Sequence, residues 1–194
     1  MLFVHSGQHK EITMKIIQIA LQIVGLFLLV PAVTLATMRF EHRNADGPSI
    51  LFPGGALVSG DLHAGPEPDW SFTETVDTIE LELDSSDSSR LIWIMDAEGQ
   101  AYIVSGYMSS FIGRLWKHWA VEADAGDGLA VLRVNGVRYE RQLERVMEGD
   151  ELNGVAASLI RKYAGGNDSP QAIAAVRGQI EAGSTWAFRL APRG

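Results

Sequence analysis

Three cations, Arg114, Lys117 and His118, stand close together in a chain whose charge is otherwise dominated by acids. At i, i+3 and i+4 they would share one face of a helix. Just before them Ser105, Ser109 and Ser110 offer hydroxyls around the expected helix start, where free backbone N–H groups favour an anion. Ser105, Ser109, Ser110 and Arg114, with Lys117 beside them, therefore outline an anion site of the kind that holds a phosphate. A solvated helix face whose charges answer the acidic surplus is the plainer reading of the same residues.

Other chemistries find less material. Cysteine is absent, which rules out thiolate nucleophiles, disulfides and Cys-built metal sites. Of the five histidines, only His118 lies in the expected fold, and no His-x-x-x-His pair sits on a folded helix, so no metal site is expected. The G-x-S-x-G elbow of serine hydrolases is missing. Glu80 and Glu82 share one face of an expected strand and Asp84 to Asp87 an expected loop. A wet surface explains both better than a glycosidase pair. Neither G-x-G-x-x-G nor GK[ST] follows a strand, and a net charge of −8 argues against a nucleic-acid partner.

These groups belong to a chain with a clear division. Residues 16–38 run for 23 positions without an ionisable side chain, enough helix to cross a hydrocarbon core of about 30 Å at roughly 1.5 Å per residue. Pro31 should kink that helix without ending it. Met14-Lys15 also resembles the start of a signal peptide, but the run exceeds the usual apolar core of roughly 7–15 residues, and no small-x-small site precedes Arg39. A retained single-pass anchor in the lipid bilayer is expected, after a tail over residues 1–15. Lys10 and Lys15 before the run and Arg39 and Arg43 after it leave orientation open. Residues 39–194 carry a net −9. Residues 39–68, rich in glycine and proline beyond Asn44, are expected to form an irregular tether.

Residues 69–194 read as one α+β domain. Ile79, Leu81 and Leu83 alternate with acids, predicting a strand over 75–84. Residues 91–95 and 101–105 predict a hairpin around Asp96-Ala97-Glu98-Gly99. Residues 129–134 and 137–146 predict a second around Asn135-Gly136, a dipeptide suited to a type I′ turn. Between them Ile112, Leu115, Trp116 and Trp119 predict a helix over 110–120 with that stripe inward. Helices are expected over 150–163 and from Pro170 to about residue 181, and a last strand over 185–190. This order suggests a small antiparallel barrel edged by helices.

Asp69-Trp70-Ser71-Phe72, Arg90-Leu-Ile-Trp-Ile, Asp96-Ala-Glu-Gly, Ala101-Tyr-Ile-Val-Ser-Gly, Trp116-Lys-His-Trp and Val131-Leu-Arg-Val-Asn-Gly-Val-Arg-Tyr-Glu resemble, as a pattern over residues 69–164, the split-barrel flavin-binding group. That group includes the pyridoxamine-phosphate-oxidase-like proteins and the deazaflavin-dependent nitroreductases. The resemblance implies a split β-barrel that dimerises with the flavin ring at the interface, and places Arg90, Ser105, Arg114 and Lys117 against the flavin phosphate. The Gly-Arg-x-Ser-Gly segment of the deazaflavin branch is missing. The expectation is therefore FMN or a related flavin, in a membrane-anchored homodimer acting as an oxidoreductase on a small acceptor. The alternative is a tethered barrel without catalysis, serving as an interaction or ligand-sensing module. A third reading, haem held by His118, rests on that residue alone.

Overall fold

The computed structural model describes residues 4–193. It divides into an N-terminal unit ending at Glu41 and a second unit that begins at His42. The first is one helix, α1 (Val4–His42), which contains Pro31. From Thr13 to His42 it is long and apolar enough to cross a membrane, its most apolar 18-residue window averaging a mean hydropathy of 2.4. A signal sequence shares that property.

The second unit is a closed six-stranded antiparallel barrel with flanking helices. Its strands are β2 (Thr78–Leu83), β3 (Ser89–Ala97), β4 (Gln100–Ser105), β5 (Leu129–Val134), β6 (Val137–Val146) and β7 (Trp186–Pro192). Their order is β6-β5-β2-β3-β4-β7, and pairing of β6 with β7 from Arg141↔Pro192 to Val146↔Ala187 closes the ring. A two-residue β1 (Asp61–Leu62) adds a parallel pairing to the start of β6. Both expected hairpins form. Asn135 and Gly136 take φ of 51° and 78°, the left-handed pair of a type I′ turn. The first hairpin turns more tightly than expected: Asp96 and Ala97 stay in the ladder, and Glu98 and Gly99 alone make the turn, at φ of 52° and 74°.

Alternation decides which side chains fill the barrel. Ile79, Leu81 and Leu83 of β2 and Ile92 and Ile94 of β3 point inward, with Leu132, Tyr139, Leu143, Phe188 and Leu190 from the other walls. Each fully buried side chain of this kind contributes about 1.5–3 kcal/mol. Trp70, on a 3-10 helix over Trp70–Thr75, is fully buried near the β3–β4 turn, its backbone N–H donating to the Gly99 carbonyl. Trp119, Ala120 and Ala123 belong to the same core and come from α3 (His118–Ala125), with Trp119 5.8 Å from the Phe188 ring.

A second core lies outside the wall, where Met95, Ala97, Tyr102 and Ala187 meet Leu152 and Val155 of α4 (Glu151–Tyr163) and Ile180 of α5 (Pro170–Glu181). Gly154 permits this approach: a Cβ there would lie 2.7 Å from the Ala97 Cβ. Near the end of α4, the Lys162 ammonium donates to the carbonyls of Thr73, Val76 and Ile94 at 2.7–2.8 Å, tying the 3-10 helix and β3 to the helix.

Two expectations need correction. The single helix over 110–120 is two, α2 (Phe111–Trp116) and α3, broken at Lys117 with φ −99° and ψ 38°. Its stripe does not face inward as a whole: Trp119 is buried, but Ile112 is 74% and Leu115 66% exposed, and the Trp116 side chain lies outside the described residues. The break turns α3 onto the core without carrying α2 along. The Gly/Pro-rich lead-in is irregular, as expected, yet fastened to the barrel. The Ser89 hydroxyl donates to the Gly55 carbonyl, the Leu57 N–H to Glu82, and Arg133 bridges Asp46 and Glu80.

Candidate anion-binding site

β3 begins where β4 ends, because the two are antiparallel, and α2 and α3 follow β4 directly. Arg90, Ser105, Ser109, Ser110, Arg114 and Lys117 thus all come from one end of the barrel. Arg90 is in phase with Ile92 and Ile94 and opposite Leu81, on the inward side of its strand. Its Nε is buried without a partner, and no hydrogen bond or ion pair joins its guanidinium to the described residues. Burial draws its pKa below the ordinary arginine value, and the Glu122 carboxylate of α3 partly offsets that pull. The group still carries its charge at neutral pH. A half-buried guanidinium without hydrogen bonds is the kind of unsatisfied group that a bound anion would complete.

The remaining expected residues are less free. Ser105 is buried, and its hydroxyl donates to the Met108 sulfur at 3.2 Å. Ser110 caps α2, accepting from the Gly113 N–H at 2.9 Å while donating to the Tyr107 carbonyl. That uses one of the amides expected to meet an anion, and α2 has only six residues. Arg114 reaches back to the Met108 carbonyl at 3.1 Å through one Nη, with its remaining donors at the surface. Ser109 and His118 are exposed and Lys117 is half-buried. The end of the barrel therefore offers one orphaned inward cation, Arg90, and two further cations, Arg114 and Lys117, with polar reach left over.

Tyr102, Trp93 and Tyr107, aromatic side chains of a kind that can stack on a flat ring, separate in the same way. Tyr102 is core, its hydroxyl donating to Glu151 at 2.5 Å. Trp93 is half exposed and stacks on Tyr163 at 4.5 Å and 7°. Tyr107 is 80% exposed, with φ of 64°.

A second polar feature lies in the wall, where the edge of β6 passes from β1 to β7 between residues 138 and 141. A cavity of about 220 Å³ opens there, lined among others by His63, Glu67, Tyr139, Arg141 and Arg193. Here the cations are matched. Arg141, 3% exposed, pairs with Glu67 at 2.8 Å and lies 5.0 Å from the Trp70 ring centre, while Arg193 pairs with Asp84 at 2.7 Å. Arg141 and Arg193 each keep a buried Nε without a partner, but their charge is answered in a way that Arg90's is not.

No family model and no curated protein matches this chain. Among solved structures it is similar to the conserved hypothetical protein Rv2991 from Mycobacterium tuberculosis, at a TM-score of 0.43 and 16% identity over 63% of this chain and 77% of that one. A likeness at this level carries no functional argument.

Among the described residues no group of three or more His, Asp or Glu could hold a metal, and the His118 side chain is exposed. Three polar anchors escaped the sequence reading: Lys162, Arg141 and the Glu74–Asp96 contact. Burial, and then the neighbouring Glu74, raises the Asp96 pKa, whereas the Arg161 hydrogen bond lowers that of Glu74. Nothing in local periodicity marks these groups, because their partners come from distant segments. Arg90 differs: its inward phase is legible from Ile92 and Ile94 alone.

Proposed function

We propose that this chain is a membrane-anchored flavin-binding barrel, homodimeric, which holds FMN or a related flavin with its phosphate at the Arg90 end. The observation that carries the reading is the half-buried Arg90 guanidinium without a hydrogen-bond partner among the described residues, at the barrel end where the resemblance also puts a flavin phosphate. Arg90 would supply charge-assisted hydrogen bonds, and Arg114 and Lys117 further positive charge, on a domain that is otherwise acidic. Bound flavin would supply hydride or electron transfer to a small acceptor. The protein's share is phosphate binding, ring orientation and exclusion of water, so the absence of cysteine or a catalytic triad is no obstacle. α1 would hold the barrel at the bilayer.

The deciding experiment is FMN titration of the full chain in detergent micelles, followed by absorbance and flavin-fluorescence quenching. Saturable binding is expected, weakened at least about tenfold in Arg90→Gln, since a hydrogen bond to a charged group contributes about 1.5–3 kcal/mol. A chain that purifies without flavin and takes none up would overturn the reading. The non-catalytic interaction module would then be favoured, as would be consistent with Ser105 and Ser110 already satisfied within the protein.

A further inference from the structure

Three of the most exposed apolar side chains of the barrel unit belong to one short helix. Phe111 is 74% exposed, as is Ile112, and with Leu115 they share one face of α2 at i, i+1 and i+4. Exposed Tyr107 leads into that helix, and exposed Met147 follows the end of β6. These positions belong to one end of the barrel, since Ser105 of β4 pairs with Trp186 and Val146 of β6 with Ala187, adjacent residues at the start of β7. Isolated apolar residues at a surface need no account, but a contiguous group on one helix face does.

Two further observations indicate what covers it. From Gly106 to Val121 the sequence has Arg114, Lys117 and His118 and no acid, within a region of net −9. Aromatic and aliphatic side chains interleaved with cations are the composition of a helix lying in the headgroup region of an anionic bilayer, its long basic side chains reaching the phosphates. The lead-in over residues 44–58 also touches this end of the barrel. Gly54 pairs with Ser89 at the start of β3. Within four residues of that bridge, Ile50 is 92% and Leu51 75% exposed in a turn closed by Ser49 and Phe52.

From this juxtaposition we infer that the α2 end of the barrel is a second membrane contact: α2 lies in the interfacial layer of the bilayer that α1 crosses, with Phe111, Ile112 and Leu115 in the acyl boundary and Ile50 and Leu51 as a further insertion. The inference rests on the reading of α1 as a retained anchor and does not use Arg90, on which flavin binding rests.

Because the chain has no cysteine, single labels can be placed cleanly. The full chain carrying Leu28→Cys, Ile50→Cys, Ile112→Cys, Leu115→Cys or Asp61→Cys is labelled with bimane. It is then reconstituted into vesicles of phosphatidylcholine and phosphatidylglycerol that contain a lipid-borne nitroxide. Labels at 28, 50, 112 and 115 are expected to be quenched by the lipid at least about twofold more than the label at 61, and to be shielded from aqueous iodide. If the label at 28 is quenched but those at 112 and 115 are as accessible to iodide as that at 61, the anchor stands and the second contact falls. Labels at 112 and 115 shielded from both quenchers would also overturn it, placing a second copy of the chain on α2. A label at 28 that escapes the lipid would remove the anchor and the inference together.

Discussion

At the scale of single residues, Arg90 and Lys162 show two fates for a cation drawn out of water. Lys162 gives all three protons to backbone carbonyls, whereas Arg90 has no hydrogen-bond acceptor among the described residues. Removing an unsatisfied charge relieves a desolvation cost, and removing a satisfied one strands its partners. Lys162→Met should therefore destabilise the protein by about 3 kcal/mol, seen as a lower denaturant midpoint. Arg90→Met should leave Tm unchanged or raise it while FMN affinity falls at least about tenfold, the trade expected where a binding group is kept at the expense of stability. A large loss of Tm in Arg90→Met would instead make the residue structural. Asp46 adds a pH dependence. Its pKa is held well below the carboxylate range, chiefly by hydrogen bonding to the Ser59 side chain and then by Arg133, against the opposing pull of desolvation. The unfolded chain then binds the extra proton first, so this contribution is fully present above about pH 4 and is lost as pH falls through the depressed value. The acid-side decline of Tm should be shallower in Asp46→Asn.

At the scale of elements, strands were more legible than helices. Period-2 alternation in β2 and the Asn135-Gly136 dipeptide specify local geometry that the barrel merely adopts. The stripe over residues 110–120 failed because helical periodicity reports an apolar face, not the presence of something to cover it. Trp119 meets Phe188, while Ile112 and Leu115 stay largely exposed. Helix packing gives a paired prediction. Gly→Ala in a helix interior ordinarily stabilises by about 1 kcal/mol. Gly178→Ala in α5, where a Cβ meets nothing within 4 Å, should gain close to that. Gly154→Ala should lower Tm, because its Cβ would sit 2.7 Å from that of Ala97 and force α4 off β3. Thermal melts of the two variants side by side test the packing of α4 directly.

At the scale of the whole molecule, the membrane-length helix and the barrel have different legibility. A retained anchor predicts that the intact mass of the protein recovered from membranes includes residues 16–38 and that alkaline carbonate does not release it. A species beginning after Met38 would show cleavage. The sequence by itself determined what depends on neighbours along the chain: the apolar run, the alternating strands, the turn dipeptides, the acidic balance and the exclusion of thiol chemistry. Tertiary structure alone decided the rest. Closure of β6 on β7 joins residues more than 40 positions apart, and the clamp of Lys162 joins others more than 60 apart. The isolation of Arg90 and the exposure of α2 are likewise facts about which distant groups do not arrive. Local patterns record a residue's preference for burial or pairing, but whether a partner meets it is set by the closed path of the chain.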